Sequence, residues 1–253
     1  MTTDAPLRIL VERTPTHHRI TRLDASRYVR PRAVHTEPDR VRVALVAACA
    51  SLLSGDHVRL EIEVGPGAHL ELVEPSATVA YNARGGSCTW SATIRVAEGG
   101  SLVWGGAPFV VSHGAEVERG TTIELGDGAA MLHHETLVLG RSAEDGGSVR
   151  STLRATYDGR PLLVEDVDLS DPVLRSAPGV LGGHRVVATT TLLGLCPEAS
   201  LAEHETLLAG PGALARSVAD QAHVAEAVLA PTWQRWQADL IARTTSRNIT
   251  ATG

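Results

Sequence analysis

Between Val58 and Val64 every second residue is apolar: Val58, Leu60, Ile62 and Val64 alternate with Arg59, Glu61 and Glu63, and His57 precedes them. On a pleated strand this spacing puts the apolar set on one face and the charged set on the other. Gly65, Pro66 and Gly67 interrupt the pattern, because proline lacks the backbone donor and glycine admits the positive φ of a tight reversal. Leu70 and Leu72 then resume it, with His69 and Glu71 opposite. The pattern predicts a β-hairpin with one solvated face. The same unit returns twice: VGPGAHLEL at Val64–Leu72 is echoed by VAEGGSLVW at Val96–Trp104 and LGDGAAMLH at Leu125–His133. The spacing is about thirty residues, roughly what two strands and two turns occupy in a repeating β array.

Comparable patterns predict strands at Leu7–Val11, Val41–Ala48, Cys88–Val96, Leu102–Val103, Val117–Leu125, Met131–Leu139, Val149–Tyr157, Leu162–Leu169 and Val186–Leu195. Residues 1–16 are polar and read as a loose lead-in around the first of these. Arg27, Arg30 and Arg32 around Pro31 read as a solvated loop, and Pro75–Gly86 as a loop except near Val79–Tyr81. Asp158-Gly159 is a strong hairpin signal. Asp171–His184, rich in Pro and Gly, predicts an ordered loop. After Pro197 the composition turns helical. Over Asp220–Arg243, Val224, Val228, Trp236 and Leu240 fall on one face, with Leu229 and Trp233 beside them. Asp220 is placed to cap this run and Pro231 to break it, giving two short helices. No low-complexity linker divides the chain, so residues 1–253 are read as one domain.

Composition narrows the function. Hydrophobic residues make up 43% of the 253 but aromatics only 3%, so Val, Leu, Ile and Ala must fill the core. A net charge of −6 argues against a phosphate-binding surface, hence against nucleic acid. All basic charge is arginine. Cys49, Cys88 and Cys196 are odd in number and far apart, which argues for a reducing compartment and against a disulfide frame or structural zinc. The N-terminus has no apolar signal core, and the longest apolar run, Val43–Leu53, is too short to span a bilayer. A soluble, cytoplasmic protein without a membrane partner is expected.

Enzyme motifs are missing: there is no G-x-S-x-G elbow, Walker loop, H-E-x-x-H or Rossmann fingerprint on a strand–helix junction. The one dense group of metal-ligand types is His133-His134-Glu135. On a strand His133 and Glu135 share a face and His134 does not, so His133 and Glu135 could share Ni²⁺ or Zn²⁺. Two ligands make an incomplete site, and taken alone the pattern is better explained by one face in the core and the other in water. In Glu165-Asp166 one carboxylate likewise faces in. A buried Glu is costly unless paired or hydrated, so an inward one points to a polar cavity.

Leu52–Leu72, LLSGDHVRLEIEVGPGAHLEL, resembles the hallmark segment of the UreD (UreH) family of urease accessory proteins. Ala77-Thr78 and Tyr81 resemble its Ala-Thr-x-x-Tyr region, Leu137–Arg141 its VVLGR strand end and Asp158–Glu165 its DGRPLLRE hairpin. Gly179–Gly183 sits like its GLGG loop, and the resemblance runs from about residue 5 to the C-terminus. The chain departs where Ala80 and Asn82 flank the tyrosine, and where His134-Glu135 stands for Trp-Asp. Trp104–Val111 is only loosely similar to the family's Trp-Leu-Pro-Gln-Glu stretch.

The resemblance implies a mainly β fold, stacked β-sheets in a helical-looking, sandwich-like array with two short C-terminal α-helices. It also implies a non-catalytic role in urease maturation: a scaffold that binds apo-urease and UreF, recruits the GTPase UreG through UreF, and assists nickel insertion. No cofactor is then tightly bound, and Ni²⁺ is in transit through an internal water-filled passage. Glu135 and Glu165 match acidic positions along such a passage, with His133 beside Glu135 and Thr78 a weaker third. Incomplete ligand sets suit transit, since an ion must be able to leave. The alternative is a metal-dependent cupin-like β-barrel enzyme using His133 and Glu135, although the His-x-His and later His of that class cannot be assembled. A lectin-like module ranks last, given the few aromatics.

Overall fold

The computed structural model describes residues 5–37 and 40–250. The chain runs β1 (Leu7–Arg13), β2 (His18–Asp24), β3 (Val29–Glu37), β4 (Arg40–Ala47), β5 (His57–Val64), β6 (His69–Val73), β7 (Thr78–Ala80), β8 (Cys88–Val96) and β9 (Ser101–Gly105). It continues with β10 (Phe109–Val111), β11 (Glu116–Leu125), β12 (Ala130–Leu139), β13 (Ser148–Tyr157), β14 (Arg160–Asp168), α1 (Pro172–Arg175), β15 (Val186–Leu193), β16 (Glu205–Leu207), β17 (Gly212–Ala219) and α2 (Ala222–Thr250). Two sheets stack. The first has the order β14-β13-β11-β8-β5-β1-β2; the second runs β16-β17-β15-β12-β9-β6-β4-β3, with β10 and β7 attached through β12. The fold is mainly β with stacked sheets and two helical elements, as expected.

The hairpin predicted around Gly65–Gly67 does not form. β5 belongs to the first sheet, parallel to β1 and β8, and β6 to the second, parallel to β4 and β9. The turn is a corner between sheets, and the chain coils, adding one strand to each sheet per coil. Alternation identifies the apolar face of a strand but not its neighbour, so both arrangements satisfy it. The echoed segments are the stacked corners of successive coils. Gly67 N–H donates to Glu98 O at 2.9 Å, Gly99 N–H to Asp127 O at 3.0 Å, and Gly126 N–H to Val96 O at 2.9 Å. Turn amides are thus satisfied by the next turn rather than across a ladder.

The predicted strands are otherwise present, and Asp158-Gly159, both at positive φ, make the β13–β14 antiparallel hairpin. Of the arginines near Pro31, Arg27 lies in the bend before β3 while Arg30 and Arg32 sit inside that strand rather than in a loop, and β16 and β17 occupy part of the stretch after Pro197 that read as helical. The short α1 lies within the Asp171–His184 loop.

The helical run is one helix, not two: α2 continues through Pro231. Pro231 and Ala227, the residue whose carbonyl loses its partner, are both exposed, so that carbonyl faces water and the helix survives. Its buried stripe is Ala225, Leu229, Thr232, Trp236 and Leu240, while Val224 and Val228 are 47% and 43% exposed. That stripe packs on the outer face of the second sheet with Leu132, Ala188, Leu192, Ala213 and Ala215. Thr232 Oγ1 donates to buried Glu205 Oε1 at 2.5 Å, tying α2 to β16. The main core lies between the sheets and is mostly aliphatic, with Leu7, Ile9, Ile62, Leu72 and Ile94 among its fully buried members.

The stacked corners leave no room at Gly126, where a Cβ would come within 2.9 Å of Glu98 N and 3.3 Å of Ala97 C. Gly126→Ala is expected to cost about 1–3 kcal/mol, read as a lower urea midpoint at unchanged m-value. Gly120→Ala, whose methyl would meet only Thr152 Oγ1 at 3.5 Å, is expected to be nearly neutral. Equal midpoints would show that the corners have slack.

Candidate functional site

Strand register places a row of polar side chains inside the apolar sandwich. In β11, Val117, Thr121, Ile123 and Leu125 are buried, and Arg119 shares their side of the strand. In β12 the odd-numbered residues Met131, His133, Glu135, Leu137 and Leu139 face the first sheet, while Ala130, Leu132 and Val138 pack toward α2. Glu135 pairs in register with Thr189 of β15, and Thr189 with Arg216 of β17. Arg119 reaches across from the first sheet to form an ion pair with Glu135. Arg216 reaches the other way, donating from Nη2 to Glu165 Oε1 at 2.7 Å and from Nε to Thr189 Oγ1 at 3.2 Å. Two Arg–Glu pairs of opposite sense therefore bridge the sheets.

The row is strongly polarised. Burial alone would push the Glu135 carboxyl up, but Arg119, with help from His133 and Arg216, holds it at about 2. Burial pulls His133 down to about 4, so its imidazole is neutral at physiological pH. Its ring lies 5.3 Å from that of Trp104. Glu74, just beyond β6, is half-buried, and desolvation raises its carboxyl above the usual range. It accepts hydrogen bonds from Trp104 Nε1 at 2.9 Å and Ala107 N at 3.2 Å.

Voids surround this row. A cavity of about 330 Å³ opens between the sheets at the β14 and β17 end, bordered by Arg119, Glu135, Ser151, Glu165, Thr189 and Arg216. Arg119 and Glu135 also border a void of about 20 Å³ shared with Glu74, Thr78, Trp90 and His133, room for about one water molecule. Glu74, Thr78 and Trp90 border in turn a void of about 40 Å³ that reaches Tyr28 and Ser76. The voids share wall residues in series, forming one line between the sheets.

All four sequence-predicted site residues border this line. Glu135 and Glu165 flank the large cavity, and His133 and Thr78 line the small one. Both acidic residues are already occupied by arginines. His134 points away, as its register requires: its Nδ1 lies 2.9 Å from Thr190 Oγ1 and its ring 5.9 Å from that of Trp233 on α2. Among the described residues no three His, Cys, Asp or Glu side chains converge on a metal-sized position. The mostly parallel pairing within the two sheets also differs from the antiparallel double-sheet jelly roll of the cupin type. Sequence reasoning missed Glu74, Arg119 and Arg216. Each occupies the apolar phase of an alternating strand (Leu70-x-Leu72-x-Glu74, Val117-x-Arg119-x-Thr121, Leu214-x-Arg216-x-Val218), the signal that could have revealed them.

The profile of the UreD urease accessory protein family matches residues 4–250. Urease accessory protein UreD 1 of Streptomyces griseus is 48% identical over 237 residues, 93% of this chain and 93% of that protein. Urease accessory protein UreD of Frankia alni is 37% identical over 206 residues, 71% and 69% of the two chains. Urease accessory protein UreD 1 of Saccharopolyspora erythraea is 35% identical over 193 residues, 74% of this chain and 76% of that protein. The chain belongs to the UreD urease accessory protein family. Among the described residues no helix is long and apolar enough to cross a membrane.

Glu135→Gln leaves Arg119 buried without its counter-charge. A loss of about 3 kcal/mol is expected, the low end for a stranded buried charge because the Glu74 carboxyl borders the same small void. The sign follows from the carboxyl's shift from 4.5 down to about 2. Its contribution is complete above pH 4.5 and is lost as pH falls through 2. Denaturation of both proteins from pH 7 to pH 2 should therefore give a gap that is flat to about pH 4.5 and then closes. A gap that is absent at pH 7 would contradict the ion pair's role.

Proposed function

We propose that this chain is a non-catalytic scaffold in urease maturation, binding apo-urease and UreF, recruiting the GTPase UreG through UreF, and passing nickel between its two sheets into the urease active site. The observation that carries the passage is the line of voids bordered by Thr78, His133, Glu135 and Glu165. Carboxylate, imidazole and hydroxyl donors match a borderline divalent ion such as Ni²⁺. Their spacing along the voids, with no converging set of three among the described residues, suits an ion that must enter and leave. A tight site would retain it. Family membership supports the accessory role. A cytoplasmic setting accords with three cysteines that are all free thiols, Cys49 and Cys196 being exposed.

The chain's own residues would act on nickel as follows. Glu165, at the large cavity, attracts the cation, with Arg216 limiting how strongly it is held. Glu135 and neutral His133 offer the next oxygen and nitrogen donors from adjacent inward positions of β12. Thr78 and the void toward Ser76 continue the line.

The test is activation of apo-urease with UreF, UreG, GTP and Ni²⁺, with and without this chain, together with a pull-down of UreF and urease. The chain is expected to raise urease nickel content and to recover both partners. Glu165→Gln should keep the partners yet lower nickel content severalfold. Recovery of neither partner would end the scaffold reading, and unchanged nickel loading by Glu165→Gln would remove that residue from the passage.

A further inference from the structure

Arg119 stands where the voids meet. With Glu135 it borders both the large cavity and the small one. Its guanidinium lies 4.6 Å from the Trp90 ring centroid and 5.4 Å from that of Phe109, and its side chain is 9% exposed. A structural staple between the sheets is the plain reading of such a pair, and three features argue against it. Arg119 Nε is buried with no hydrogen-bond partner among the described residues, so the pair with Glu135 leaves one of its donors unspent. The two aromatic faces grip it by contacts that tolerate sliding, unlike a directional fork. A second carboxyl, Glu74, borders the same small void, and no salt bridge among the described residues joins it to an arginine.

We propose that Arg119 is the gate of the interlayer passage: paired with Glu135 it closes the join between the voids and withholds Glu135 and His133 from a divalent cation, and it opens by moving its guanidinium to Glu74. The gate rests on the reading of the voids as a nickel passage. A guanidinium and a divalent ion repel each other and compete for one carboxylate, so they exclude one another at Glu135. Glu74 is suited to receive the guanidinium. Burial raises its carboxyl, its two hydrogen bonds and the nearby Arg119 oppose that rise, and a guanidinium brought closer would oppose it further. The isolated chain is then closed, and nickel crosses only when the pair is broken.

Equilibrium dialysis of the full-length chain against Ni²⁺ alone tests this. If the pair is closed nine-tenths of the time or more, the unaltered chain binds at least about tenfold more weakly than an open one. Arg119→Met, which fills the space beside Trp90 and Phe109 without the charge, should therefore bind Ni²⁺ about tenfold more tightly, and Arg119→Met/Glu135→Gln should lose that gain. Arg119→Gln, which retains a donor to Glu135 without the charge, should behave like Arg119→Met. A folded Arg119 variant with unaltered affinity, or a gain that survives Glu135→Gln, overturns the gate. So does unfolding of both single variants, because a gate must be able to leave Glu135 while the sheets stay packed. The urease activation assay separates the two levels. If the unaltered chain fails to raise urease nickel content, the passage falls and the gate with it; if it succeeds while the Arg119 variants gain no Ni²⁺ affinity, the gate alone falls.

Discussion

A guanidinium buried between two aliphatic sheets must have a counter-charge within reach, and the interior of this protein is arranged around that requirement. Desolvating Arg119 costs several kcal/mol by general estimates, and only a close carboxylate and the aromatic faces offset it. Glu135 supplies the carboxylate from the opposite sheet, Trp90 and Phe109 the faces. One pair then calls for others. Glu135 sits in register with Thr189 and Arg216, and Arg216 finds Glu165 back on the first sheet. Each sheet thus gives one guanidinium and one carboxylate to the two pairs.

The same row explains why the sandwich is not solid. Chains of Val, Leu, Ile and Ala close-pack where both sheets present them, as they do around Leu7, Ile62 and Ile94. Charged side chains of fixed length that span the gap hold their surroundings apart, and the cavity of about 330 Å³ lies beside them at the β14 and β17 end. The coiled chain path makes this possible without loss of backbone pairing. Each coil gives one strand to each sheet, the corners bond to one another, and the second sheet is covered on its far side by α2. The sheets can thus be apolar on the inside at most positions and polar along one line. That line of polar residues and voids is what separates this interior from a solid aliphatic sandwich.

Much of this was legible in the sequence. The alternations marked strands β5, β8, β11, β12, β13 and β14, and the glycine-punctuated echoes marked a unit of about thirty residues. The odd phase of β12 put His133 and Glu135 on one face and His134 on the other, as observed. Resemblance to the UreD family singled out Glu135, Glu165, His133 and Thr78, and all four border the voids. The helix stripe was misjudged because Val224 and Val228 are apolar but exposed, while Ala225 and Thr232, weaker signals, are buried.

What the sequence by itself determined is local: which residues are extended, which face of each strand is apolar, and where the chain turns. These follow from side-chain periodicity and from the conformations open to Gly and Pro, properties of neighbouring residues alone. The tertiary structure decided partnership. Whether Gly65–Gly67 closes a hairpin or turns a corner depends on the carbonyl of Glu98, which accepts from Gly67 N–H a whole coil away. Whether Arg119 is a solvated charge or the link between two sheets depends on Glu135 arriving opposite it. A buried ion pair is a relation between distant parts of the chain, and no periodicity within either strand encodes it.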